Sequence, residues 1–224
     1  MPNLKLISSH DEAGNVKTFV FENSGLKWRA GQNQAYILPQ AGKTEDENQR
    51  YFTLSSAPSE GTVNISTRVS QSFFKQSLNA LKPGDEIRVF DLGGDFTWED
   101  EPSKQVVMVA GGIGITPFRS ILLERDFLGK KINADLLYFN RNNEIPFLKK
   151  FKELENNHPE FKMKVMVGQP VTAEKIMELE PKIKEKILYI SGPEPMVEKI
   201  SDDLKKYGIN AKQDRFPGYD EKNF

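Results

Sequence analysis

Three glycines and a threonine in one short run carry the first chemical signal. In VVMVAGGIGITPF (106–118) an apolar stretch ending at Ala110 meets Gly111, Gly112 and Gly114, and Thr116 and Pro117 follow. Glycine lets an anion approach the backbone with no Cβ in the way. Thr116 reads as a helix N-cap and Pro117 as a first-turn residue, so free backbone N–H groups would face an incoming phosphate. The three-glycine dinucleotide fingerprint is incomplete, because Pro117 stands where its third glycine belongs. On this motif alone a nucleotide-phosphate site and a plain strand-to-helix turn both stay open. A rival phosphate motif fails: AGKT (41–44) ends like a nucleoside-triphosphate loop, but Ile37 occupies the first glycine position and the polar run EDENQR follows.

Other chemistries are narrowed by composition. The 224 residues contain no cysteine, which excludes disulfides, thiol nucleophiles and cysteine-ligated clusters within them, and fits a reducing, cytoplasmic setting. His10 and His158 are the two histidines, too few for a multi-histidine metal site, and no metal is expected. A net charge of −1 argues against nucleic acid as partner. No signal-peptide core opens the sequence, and no run of about 18 apolar residues predicts a membrane span.

The elements that must position these residues fall into two grammars. Up to about residue 100, short runs (16–22, 34–39, 50–56, 86–90) are punctuated by Gly, Asn, Asp and Pro, which predicts an antiparallel β domain. Its clearest strand is TVNISTRV (62–69), where Val63, Ile65, Thr67 and Val69 alternate with Asn64, Ser66 and Arg68. One helix is predicted at 72–81. Beyond residue 100, strands at 106–110, 134–139, 162–167 and 187–191 alternate with helical stretches 117–127, 146–157, 173–179 and 195–207. That rhythm predicts an α/β domain with a parallel sheet covered on both faces. The expected division is 1–100 and 101–224.

In company, the glycine run becomes specific. GGIGITP (111–117) resembles the nicotinamide-domain motif of the ferredoxin–NADP reductase superfamily. RYFTLSS (50–56) is similar to its flavin motif Arg-x-Tyr-Ser/Thr, and SGPEPM (191–196) to its Cys-Gly-Pro-x-x-Met. SFFK (72–75), GGDF (93–96) and DRFPGY (214–219) fall where the family has related segments. The resemblance spans nearly the whole chain and implies an N-terminal antiparallel flavin-binding β-barrel followed by an NAD(P)-binding domain with a five-stranded parallel sheet.

It also implies roles. Arg50, and beside it Arg68, would pair with a flavin diphosphate, while Ser72, Phe74 and Lys75 hold it at a helix start. Tyr51 and Phe52 would lie along the flavin, with Phe52 stacked on its ring. Thr53 would bond the hydride-accepting nitrogen. Gly111, Gly112, Gly114, Thr116 and Pro117 would meet the nicotinamide nucleotide, with Asn140 and Arg141 toward its far end and Gly192, Pro193 and Met196 across the pocket. Phe216, Tyr219 or Phe224 would cover the other flavin face. Thr53, Thr116 and Ser191 are the expected catalytic positioning groups.

Two residues depart from the family pattern. Phe52 lacks the usual phenol, and Ser191 replaces the usual cysteine. The implied activity is hydride transfer from NADH or NADPH to a flavin, FAD in preference to FMN because SFFK offers a second diphosphate contact. With Arg141 available but no arginine in VMVGQP (165–170), NADH is slightly favoured. Electrons would pass to a separate ferredoxin, flavodoxin or cytochrome-like protein, or to a small molecule. A non-catalytic nucleotide-binding subunit of a redox complex is the alternative.

Overall fold

The structure, a computed structural model, describes residues 2–38, 48–101 and 103–216. AGKT, Tyr219 and Phe224 lie outside these residues. Strands β1 (Asn3–Ala13), β2 (Val16–Glu22), β3 (Asn33–Ile37), β4 (Gln49–Thr53), β5 (Thr62–Arg68) and β6 (Glu86–Gly93) form one sheet in the order β4-β3-β6-β1-β2-β5. Every neighbouring pair is antiparallel. This barrel-like sheet closes on Leu4, Phe19, Phe21, Tyr36, Val63, Ile65 and Val89. Helix α1 (Phe73–Ala80) plugs it with Phe74 and Leu78, capped by Ser72, whose Oγ accepts from the Lys75 amide at 3.4 Å.

The second sheet comprises β7 (Val106–Gly111), β8 (Ala134–Asn140), β9 (Phe161–Val167), β10 (Ile187–Pro193) and β11 (Ala211–Phe216). It is parallel throughout, in the order β11-β10-β7-β8-β9. Its central strand is buried on both faces, which is why VVMVA reads as an unbroken apolar run. Val106, Met108 and Ala110 pack with Phe118, Ile121 and Leu122 of α2 (Thr116–Phe127) and with Phe151 and Leu154 of α3 (Leu148–Asn157). Val107 and Val109 face Ile176 of α4 (Ala173–Leu179) and Val197, Ile200 and Leu204 of α5 (Glu194–Lys205).

Two strands went unanticipated. In β1 only Leu4 and Leu6 are buried among eleven mostly polar residues, and in β11 only Asp214 is. Both draw their order from pairing with neighbours and carry too few apolar residues for a periodic signal.

A polar rivet joins the two sheets. Arg119 of α2 donates to the Ser55 carbonyl at 2.5 Å and forks onto both carboxylate oxygens of Glu60 at 2.7 and 2.9 Å, its guanidinium lying over the Phe147 ring. The same helix adds two further bonds: the adjacent Ser120 Oγ donates to the Ser56 carbonyl at 2.6 Å, and Glu124 accepts from the Ser59 amide at 2.8 Å. Burial alone would raise the Glu60 carboxyl, but hydrogen bonds and charge from Arg119 hold it below its usual range. Among the described residues, no helix is long and apolar enough to cross a membrane.

Candidate active-site cleft between the two sheets

At the carboxyl end of the parallel sheet, where open α/β sheets place ligands, a cleft opens against the barrel. Tyr51, Phe52, Thr53 and Ser66 line it from the first sheet, and Ile113, Thr116 and Phe216 from the second. Its open centre is about 20 Å³. A larger hollow of about 540 Å³ runs along the outer edge of β11, between Gly94–Phe96 and Ala211–Arg215. The smaller cleft is the one that gathers Tyr51, Phe52, Thr53, Thr116 and Phe216 from motifs far apart in sequence.

Thr53 and Ser191 are brought together through a residue the motifs did not single out. Asp214 Oδ2 accepts from Ser191 Oγ at 3.1 Å and from Thr53 Oγ1 at 3.4 Å, so one carboxylate bridges β4, β10 and β11. All three side chains are buried. Burial pushes the Asp214 carboxyl up to about 7, with the Ser191 and Thr53 hydrogen bonds pulling the other way. The signal available in sequence was its place at the head of DRFPGY. Ser191 itself is fully buried and is not among the residues lining the cleft.

The glycine turn has a structural duty that its sequence did not show. A Cβ on Gly114 would run into the carbonyl of Ser191 and the Cα of Gly192 at 2.7 Å, and one on Gly111 into the Met196 thioether. These glycines let the GGIGITP and SGPEPM turns pack against each other, and Met196 fills the gap between Gly111 and Gly192. Gly112 has φ +54°, a conformation that favours glycine. Thr116 is not the N-cap: a 3-10 turn (Gly112–Ile115) leads directly into α2, Ile115 occupies the cap position, and Thr116 Oγ1 donates back to the Ile113 carbonyl at 3.1 Å. Pro117 does sit in the first turn.

On the barrel side, Phe52 packs between Tyr36 and Phe74, with ring centroids 5.8 and 5.7 Å away, and is 8% exposed where it meets the cleft. Tyr51 is exposed, and its hydroxyl donates to Asp91. Arg50 and Arg68 lie close enough to Lys75 to act on its charge. Burial first, then these two guanidiniums, lower the Lys75 ammonium to about 8. A buried lysine facing two arginines is the electrostatic setting in which an anion is stabilised by all three. Arg68 also donates to Asn15 at 3.1 Å and to Asn140 at 3.3 Å. Asn140 spends its amide on the Asn142 and Glu144 carbonyls, at 2.9 Å each, and Arg141 is exposed nearby.

Residues 108–202 match the family described as oxidoreductase NAD-binding domain. The chain is similar to the flavohemoprotein of Candida albicans, 29% identical over 79% of this chain and 48% of the relative. The fold is shared with the flavohem-like FAD/NAD binding domain of nitric oxide dioxygenase from Vibrio cholerae (TM-score 0.79, 19% identity, 96% of this chain and 98% of that one). It is shared too with ferredoxin–NADP+ reductase from Plasmodium falciparum (TM-score 0.77, 15% identity, 95% of each chain). The chain spans about half the length of the curated relatives it matches.

Proposed function

We propose that the chain is a member of the ferredoxin–NADP reductase-like superfamily and, on that premise, an FAD-dependent NAD(P)H oxidoreductase that hands electrons to an acceptor outside these 224 residues; the match of residues 108–202 to an NAD-binding domain and the shared fold support this. In this reading residues 1–100 carry the flavin and 101–224 the nicotinamide nucleotide, in a cytoplasmic setting. The observation that carries it is the meeting of Thr53 and Ser191, from two sheets and two distant motifs, on the single buried carboxylate of Asp214.

The residues fit the cofactors by the chemistry of their donors. Arg50, Arg68 and Lys75, beside the start of α1, supply three cations for a diphosphate. The cleft supplies hydroxyls from Thr53, Ser66 and Thr116 and aromatic surfaces from Phe52 and Phe216. When bound, flavin and nicotinamide supply the hydride chemistry, and the chain supplies position and electrostatics. Asp214 fixes the Thr53 and Ser191 hydroxyls as donors pointing at one atom, which sets where their remaining lone pairs face. Gly111 and Gly114 let the two nucleotide-side turns come into contact. Arg119, through Ser55 and Glu60, ties the barrel side of the cleft to the parallel sheet.

With no cysteine in the chain, an iron–sulfur relay cannot be built from these residues. The acceptor is then a ferredoxin, flavodoxin or cytochrome-like protein, or a small molecule. NADH is the favoured donor. The test is an anaerobic visible spectrum of the FAD-loaded protein during addition of NADH and, separately, NADPH. Bleaching of the flavin bands supports the assignment and ranks the donors. A flavin that stays oxidised with both refutes it.

A further inference from the structure

A row of hydroxyls leads from the cleft to the protein surface, and we propose that Ser66, Thr18 and Glu12 form the proton exit of the reductase, with His10 at its outer end. The inference rests on the oxidoreductase reading above.

The row follows from strand register. His10 of β1 pairs with Thr18 of β2, and Thr18 pairs with Ser66 of β5, so the three lie side by side across the sheet. Glu12 sits in the register irregularity between Asp11 and Ala13, a bulge that turns its side chain onto this row. The hydrogen bonds are continuous. Ser66 Oγ lies 2.7 Å from Thr18 Oγ1, Thr18 Oγ1 donates to Glu12 Oε1 at 3.0 Å, and His10 Nε2 lies 2.9 Å from the same oxygen. Ser55 Oγ joins Ser66 at 2.8 Å. Ser66 and Thr18 are each 4% exposed, whereas the His10 side chain is 55% exposed. At its inner end, Ser66 lines the cleft beside Thr53.

The row has a direction. Because Thr18 gives its proton to a carboxylate, its own lone pair is left to accept from Ser66, and Ser66, which lines the cleft and meets the Ser55 hydroxyl, keeps its lone pairs for an incoming proton. The charged groups around it are His10 on β1, Arg68 two residues along β5, and Glu144, whose carboxylate abuts Gly14 at the β1–β2 turn.

Stoichiometry creates the need. NAD(P)H becomes NAD(P)⁺ by losing two electrons and one proton, carried together as hydride. An acceptor that takes only electrons leaves that proton behind, one for each hydride. On its way out the proton bonds to Ser66 Oγ as the Ser66 hydrogen passes to Thr18. The Thr18 hydrogen passes to Glu12, and the protonated carboxyl releases it to His10 or water. Each oxygen gains one O–H bond and loses one.

The test uses FAD-loaded protein reduced photochemically and then mixed with excess ferricyanide in weak buffer containing a pH-indicator dye. Flavin reoxidation and proton appearance are followed at separate wavelengths in one trace. In the unsubstituted protein, protons appear in step with reoxidation. Thr18→Val keeps the side-chain shape and removes the hydroxyl, and proton appearance is expected to lag reoxidation at least tenfold. Thr18→Ser keeps the hydroxyl and restores the match, an order that a packing role would reverse. Glu12→Gln, at the outer end, should give the same lag if the valine variant folds poorly. Protons released in step with reoxidation in Thr18→Val, or in Glu12→Gln, overturn the exit route. A parent protein whose flavin NAD(P)H does not bleach refutes the oxidoreductase reading instead.

Discussion

Replacing Asp214 by asparagine should remove a pH-dependent weakness from the fold. The carboxyl titrates at 3.8 in an open chain and about 7 in the structure, because burial disfavours its charge more than the Ser191 and Thr53 bonds support it. Between those values the folded chain holds a proton that the unfolded chain has released. Stability is therefore fully present below pH 4 and declines as pH rises through 7. At about 1.4 kcal/mol per tenfold change, the whole decline is roughly 4 kcal/mol. Other titrating groups act in both chains and cancel in the difference between them. The amide of Asp214→Asn stays neutral and still offers an oxygen to Ser191 and Thr53. Roughly 1.6 kcal/mol of the decline is already complete at pH 5, so urea unfolding of the cofactor-free chains should show the variant's advantage growing by about 2–3 kcal/mol from pH 5 to pH 8. A difference that is the same at both pH values refutes the assignment of a buried, strained carboxyl.

Four further outcomes follow from the same geometry. Lys75, lowered to about 8 by burial and by Arg50 and Arg68, should hold its proton to higher pH when a diphosphate binds; FAD affinity measured by fluorescence should be highest below pH 8 and fall as pH rises toward 10, and Lys75→Met should flatten that profile. Arg50→Ala should lower flavin occupancy, read as visible absorbance per chain, while the unfolding midpoint changes little. Gly114→Ala drives a methyl into the backbone of Ser191 and Gly192, and calorimetry should show a loss of about 1–3 kcal/mol or more, as for overpacked cores. Arg119→Leu leaves the Glu60 carboxylate without its partner and should cost on the order of 2–4 kcal/mol in chemical denaturation, less than a fully buried pair because Glu60 is partly exposed.

Helices and apolar strands were legible because their signals are local. The predicted helix 173–179 coincides with α4, and 117–127 differs from α2 by one residue. β1 and β11 left little trace, since cross-strand pairing and not side-chain pattern orders them. The same blindness hid two of the seven residues that line the cleft. Thr53, Thr116 and Phe216 could be picked out from motifs, but Ser66 looked like one polar position in an alternating strand, and Ile113 like filler between glycines. The glycines, weighed first as room for a phosphate, turned out in part to make room for another turn of the same chain.

Taken alone, the sequence determined composition-level chemistry and the order of elements. Without cysteine the chain cannot ligate a cluster, and the spacing of RYFTLSS, GGIGITP and SGPEPM sets which segments can meet. Only the tertiary structure decided that a single carboxylate, Asp214, joins Ser191 to Thr53, which lies 161 residues before Asp214 in the chain. It also decided that His10, Thr18 and Ser66 stand in one row. Hydrogen bonds of this kind depend on strand register and on which faces two sheets turn to each other, and neither is encoded within any single segment.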